Sequence, residues 1–192
     1  MNRYFVFLYI EDKRLTRFID YAIYLLNPTE KWPAHVTLAG PYTNRKEAPP
    51  EDELDFCQRL SVMGVSEFRS ANQNTVYLIV GNGQLESVWN KPDFAFNPHL
   101  TLYDGSDSDL ADEIVRWGKA ERLIFSFMVS KRVVVSSTKR QGSFNLIERF
   151  DPTTLPATKH MNFSEIADQS IEWRLPLAKE ALRRAKAYAW KH

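Results

Sequence analysis

The 192-residue chain has one cysteine, Cys57, which excludes an internal disulfide and fits a reducing compartment. Neither sign of charge is in excess: 25 Lys and Arg stand against 24 Asp and Glu, a formal net charge of +1. That balance argues against a protein that grips long duplex through bulk charge, and leaves a small anionic ligand open. Long apolar runs are also missing. The longest, such as Tyr4 to Ile10, are of strand length and far too short to span a bilayer. Met1-Asn2-Arg3 leads into that run without the apolar length or small-residue cleavage site of a secretory signal. The expectation is a cytoplasmic protein with no membrane association. Low-complexity tracts are absent. At 44% hydrophobic and 13% aromatic residues the chain can bury a real core, and its length suits one domain or two small lobes.

What is present is a repeated motif. Pro33-Ala34-His35-Val36-Thr37-Leu38 and Asn97-Pro98-His99-Leu100-Thr101-Leu102 each contain a histidine, an apolar residue, a threonine and a second apolar residue. Each follows a proline and heads a short strand-like run. Successive side chains on a strand point to opposite faces. His35 and Thr37 therefore share one face and Val36 and Leu38 the other, and the same holds for His99 and Thr101 against Leu100 and Leu102. Each stretch offers an imidazole and a hydroxyl while its aliphatic residues anchor the opposite side.

Tyr4 to Ile10 reads as a first strand, with Tyr4, Val6 and Leu8 on one face and Phe5, Phe7 and Tyr9 on the other. Which set faces a cleft stays open. Asp12 is placed to cap a helix whose apolar residues, Leu15 to Leu26, recur at helical spacing until Asn27-Pro28 stops it. The first motif strand follows, then a loop from Gly40 to Pro50 holding Arg45 and Lys46. Pro50-Glu51-Asp52-Glu53 reads as an acidic helix start. Leu54, Phe56, Cys57, Leu60 and Met63 make the buried side of that second helix, which Gly64 ends. Strands are expected at Val65 to Ser70 and Thr75 to Val80, and a short helix at Leu85 to Trp89. The second motif strand lies within Phe94 to Tyr103 and a helix within Asp107 to Trp117. Leu123 to Val129 and Arg132 to Ser137 read as two strands joined by a tight connection at Ser130-Lys131. A polar, basic run then returns into a strand at Phe144 to Ile147. The two motifs sit at equivalent points of two halves, 64 positions apart (99 − 35). Beyond Asp151 the chain reads as a linker, a short helix at Ser164 to Glu172, and a longer helix at Leu175 to Trp190 that packs on the domain surface.

If the two motif strands lie side by side, His35 and His99 face one cleft with Thr37 and Thr101 beside them. Imidazoles titrate near neutral pH, so one can take a proton from a nucleophile while the other gives one to a leaving oxygen. Two threonine hydroxyls can donate to the non-bridging oxygens of a tetrahedral anion. Such a set suits displacement at a phosphodiester and needs neither a covalent nucleophile nor a cofactor.

Paired His-x-Thr-x motifs in a mixed chain of this length resemble the 2H phosphoesterase superfamily. Its members include 2′-5′ RNA ligase-like proteins and 2′,3′-cyclic nucleotide phosphodiesterases. The match covers about residues 3 to 150. The resemblance implies an α+β fold of two pseudo-symmetric lobes, with two antiparallel sheets lining a central groove and helices outside. Residues 1–150 would form that domain, and residues 151–192 a linker and helical extension outside the common core. It implies His35 and His99 as the acid–base pair, Thr37 and Thr101 as phosphate holders, and a metal-independent site. The expected activity is hydrolysis of a 2′,3′-cyclic phosphate or a related cyclic or 2′-5′-linked nucleotide. The expected partner is a nucleotide or RNA 3′-end, and the expected state a monomer or weak dimer.

Substrate selection falls to residues near the motifs. Tyr42 follows the first and Tyr103 the second, and an aromatic ring beside the cleft can stack on a base for roughly 1–3 kcal/mol. Lys139 and Arg140, like Arg45, offer charge to a phosphate. Competing readings are RNA end processing or 2′-5′ ligation on a longer substrate, with the basic tail helix extending the surface, and a non-catalytic nucleotide-binding module. A metal site from His35, His99 and His160 fits no dense ligand spacing. Cys57, on the apolar side of a helix, reads as an inert buried thiol.

Overall fold

A computed structural model describes residues 3–29, 32–48, 55–81, 85–88, 95–136 and 155–191. Lys139, Arg140, the expected strand at 144–147 and the polar run before it lie outside the described residues. Among the described residues the fold is α+β, built on six antiparallel strands.

Strand β1 (Tyr4–Ile10) buries Val6, Leu8 and Ile10 toward the core, so Phe5, Phe7 and Tyr9 take the other face. Helix α1 (Lys13–Leu26) starts where the Asp12 carboxylate accepts from the N–H groups of Arg14 and Leu15 at 2.8 and 2.9 Å. Its apolar stripe, from Leu15 through Leu26, is buried, and it stops at Asn27. Strand β2 (His35–Tyr42) carries the first motif, and a short 3-10 turn, Arg45–Glu47, follows it. Strands β3 (Asp55–Ser70) and β4 (Gln73–Gly81) form a hairpin. A one-turn helix α2 (Leu85–Val88) precedes β5 (His99–Gly105), which carries the second motif. Helix α3 (Ser108–Glu121) is capped by Asp107, and β6 (Phe125–Ser136) is the last described strand. Helices α4 (Phe163–Ala167) and α5 (Ile171–Ala189) end the chain.

The strands run in the order β1-β2-β5-β4-β3-β6, and β6 pairs back onto β1 to close the ring. The two motif strands are neighbours although 56 residues of chain, 43–98, lie between them (98 − 43 + 1).

Two expectations fail. Residues 55–63 are not helical but belong to β3. Leu60 and Val62 are fully buried while Met63 is 56% exposed, which is strand alternation. Val62 pairs with Val80 and Gly64 with Ile79, so Met63 is an extra residue in a bulge. Gly64 takes φ +142° there, and Val65 is the next core residue. The bulge shifts the inward positions from even to odd numbers, and the exposed Met63, three residues after Leu60, imitates a helical spacing. Cys57 accordingly lies on β3 rather than on a helix. The expected break at Ser130-Lys131 is also absent, because β6 runs straight through it. Residues 125–131 pair with β3 and residues 129–136 with β1, so Val129 and Lys131 are paired on both sides. The polar pair lies where the two ladders overlap, between strands on both sides.

Helix α5 packs on α1 through Ala178, Ala181, Leu182 and Ala185. Arg174 Nη1 donates to the Leu25 carbonyl at 2.7 Å, and the Tyr188 hydroxyl to Asp12 Oδ2 at 3.0 Å. Its basic residues meet α3: Lys179 pairs with Glu113 at 2.5 Å and Arg183 with Glu121 at 3.0 Å. These hydrogen bonds hold both carboxyls below the usual glutamate range. Lys179 and Arg183 also lie over the Trp117 ring.

Candidate active site

Strands β2 and β5 meet at the antiparallel pair Val36–Leu100, the residue after each histidine. By that register His35 falls opposite Thr101, and Thr37 opposite His99. Val36, Leu38, Leu100 and Leu102 are buried at the core face, while His35, Thr37, His99 and Thr101 are half-buried on the other.

Both rings are held the same way. His35 Nδ1 lies 2.6 Å from the Pro33 carbonyl oxygen, and His99 Nδ1 lies 2.8 Å from that of Asn97. A carbonyl only accepts, so Nδ1 carries the hydrogen in each ring. In the neutral form the lone pair is then on Nε2, the nitrogen farther from the backbone.

Each ring also sits against an aromatic neighbour. His35 stacks on Phe7 with centroids 3.8 Å apart and 24° between planes. Trp32 approaches it edge-on at 6.2 Å, and Tyr9 is tilted at 6.4 Å. His99 meets Tyr77 at 4.9 Å and the edge of Phe68 at 5.3 Å. These seats occupy matching positions. Phe7 pairs with Thr37, and Tyr77 pairs with Thr101. Leu8 pairs with Val36 as Leu78 does with Leu100, and Tyr9 with His35 as Ile79 does with His99. The hairpin-like pairs β1–β2 and β4–β5 thus share one register. Sequence reasoning missed Phe7, Trp32, Phe68 and Tyr77. A faint signal existed, since Phe7-Leu8-Tyr9 and Tyr77-Leu78-Ile79 are alike in pattern.

A cavity of about 300 Å³ opens beside His35, within the roughly 300–1,000 Å³ of small-molecule sites. Phe7, Trp32, His35, Thr37, Thr101 and Tyr103 line it. Asp104 also lines it, and its Oδ1 accepts from the Thr75 hydroxyl at 2.8 Å and the Gln73 amide at 2.6 Å.

The remaining candidates separate. Tyr103 lines the cavity but is only 6% exposed, and its hydroxyl accepts from the Asp107 N–H at 3.2 Å. Burial pushes that phenol up from its ordinary value. Tyr42 pairs with Tyr4 at the far end of β2, beyond the cis Gly40–Pro41 bond, and is not in the cavity wall. Arg45, in the 3-10 turn, is not in that wall either. Lys139 lies outside the described residues. His160 is exposed in the turn after Thr158. Among the described residues no three His, Cys, Asp or Glu side chains group closely enough to hold a metal ion.

No protein-family model matches this sequence, and no curated protein matches it. What the site can do is therefore argued from its own residues. Two imidazoles of fixed tautomer and two hydroxyls on one face of adjacent strands can move protons at two points around an anion. Among the described residues no helix is long and apolar enough to cross a membrane.

Proposed function

We propose that this protein is a metal-independent phosphodiesterase of the 2H phosphoesterase kind, acting on 2′,3′-cyclic phosphates or related cyclic or 2′-5′-linked nucleotides. The observation that carries the proposal is the shared hold on the two histidines: each Nδ1–H donates to the carbonyl two residues back, on strands joined at Val36–Leu100. One neutral imidazole takes a proton from water through Nε2 as the water oxygen attacks phosphorus. The other, protonated, gives its proton to the ester oxygen that leaves. Thr37 and Thr101 donate to the non-bridging oxygens as charge builds there. The product is a phosphomonoester with one hydroxyl restored.

The two-lobed arrangement belongs to the same proposal. The common register of β1–β2 and β4–β5 supports it, with β6 shared between a half containing β1 and a half containing β3. A cytoplasmic location and a monomeric or weakly dimeric state are also part of this reading.

RNA end processing or 2′-5′ ligation is the second reading. One observation favours it: Phe68 is 41% exposed, stacks on Tyr77 at 4.4 Å and sits edge-on to His99, offering a second base an open aromatic surface. The basic tail helix does not add to it, since Lys179 and Arg183 are paired with α3.

The test is a panel of 2′,3′-cyclic mononucleotides, cyclic dinucleotides and 2′-5′ oligomers, incubated in chelator with products identified by mass. Turnover is expected for at least one class. His35→Ala and His99→Ala should each lower it by about 10²–10⁴-fold, the usual share of general acid–base catalysis. Full activity in either variant would sink the proposal. Tight binding without turnover would mark a non-catalytic binding module instead.

A further inference from the structure

The two histidines are held alike, but the peptides that hold them are not equivalent. The Pro33 carbonyl accepts from His35 Nδ1 at 2.6 Å. The nitrogen of that same peptide belongs to Ala34, and its N–H donates to Asp20 Oδ1, also at 2.6 Å. One peptide unit therefore lies between a carboxylate and an imidazole. At the second motif the corresponding peptide joins Asn97 to Pro98. Its carbonyl accepts from His99 Nδ1 at 2.8 Å, but a proline nitrogen has no hydrogen to offer a carboxylate.

We propose that Asp20 is a positioning residue that acts through the Pro33–Ala34 peptide to make His35 the more basic of the two histidines. A carboxylate that accepts from an amide N–H shifts electron density onto the amide oxygen. The oxygen then holds the imidazole N–H more strongly, because hydrogen bonds in a chain polarise one another. A cationic imidazole gains more from that bond than a neutral one, so its proton is harder to remove. Asp20 lies in the interior of α1 with 5% of its surface exposed. A carboxylate in such a place is costly unless hydrogen-bonded, and the Ala34 N–H is one such partner.

Other ionisable groups face the pair. Tyr9 comes from β1, and Tyr103 and Asp104 share the His35 cavity from β5. Tyr77 of β4 faces His99. On α1 itself Tyr21 donates to Thr158 and Tyr24 to the Phe163 carbonyl, and from α5 Arg174 reaches Leu25. Asp104 adds negative charge on the His35 side, but none of its hydrogen bonds described here involves the Pro33–Ala34 peptide. A substitution at Asp20 therefore separates the two carboxylates. If the phosphodiesterase reading holds, His35 is the resting acid and His99 the resting base. The difference in basicity does not depend on that reading.

The experiment follows both imidazoles by ¹H–¹⁵N NMR as a function of pH, in the unliganded protein, so activity does not enter. In the wild type His35 should titrate at higher pH than His99. Asp20→Asn keeps the shape and removes the charge. It should lower the His35 midpoint by about half a pH unit or more and leave His99 in place. A wild-type His35 midpoint at or below that of His99 overturns the proposal. So does a folded Asp20→Asn protein in which His35 is unmoved, or in which both histidines move together. Should Asp20→Asn fail to fold by circular dichroism, the wild-type order decides alone.

Discussion

Thr37 and Thr101 are β-branched residues on paired strands, where valine has nearly the same shape and lacks only the hydroxyl. Thr37→Val and Thr101→Val therefore isolate what the hydroxyls do. If each donates to a developing phosphate charge, each variant should lose about 10²-fold in kcat, as for other preorganised donors. The denaturation midpoint should barely move, since both residues are half-buried and valine suits a strand. Steady-state kinetics with thermal melts would check this, and an unchanged kcat would remove the threonines from the chemistry. The placement of these four side chains was legible because strand alternation needs no tertiary knowledge. The seats were not. Nothing in Phe5-Val6-Phe7-Leu8-Tyr9 alone says which face meets the cleft, and the answer comes only from pairing Phe7 with Thr37. Asp20 was invisible for a different reason. An aspartate in a helical pattern reads as solvent-facing, and its role depends on a loop fourteen residues away.

At the scale of elements, β3 shows how one residue can disguise a strand. The bulge at Met63 moves the inward positions from Leu60 and Val62 to Val65, so apolar spacing no longer has a period of two. Gly64 makes that turn possible with φ +142°, a conformation in which side chains are strained. Nothing lies within 4 Å of where its Cβ would be. The cost of Gly64→Ala is then backbone strain alone, about 1–3 kcal/mol, and not a steric clash. Urea denaturation should show that loss with an unchanged slope, and a neutral substitution would mean that the bulge rearranges freely. The other misread element, β6, has the opposite cause. Its polar centre looks like a turn, yet its backbone is paired on both sides as it passes from β3 to β1. Elements with an apolar stripe at helical spacing, α1, α3 and α5, were readable because that spacing is local to the sequence.

Among the described residues the strands form a ring with one thin seam. β3 pairs with β4 from Ser61 to Ser70, and β1 with β6 along its full length, whereas β2 meets β5 at Val36–Leu100. The candidate site lies across that seam. A light contact between the two motif strands lets a ligand bridge side chains from both. Local openings cost least where few backbone hydrogen bonds must break. The Val80 N–H donates to the Pro98 carbonyl, so in the same register Leu100 turns its own N–H to β4, and the amides that cross the β2–β5 junction are those of Thr37 and Thr101. Amide hydrogen exchange at Thr37 and Thr101 should therefore be faster than along β3–β4 or β1–β6. Exchange at Thr37 and Thr101 as slow as at Leu78 on β4 would show that the ring opens as one unit, with packing at the seam making up for its missing ladder.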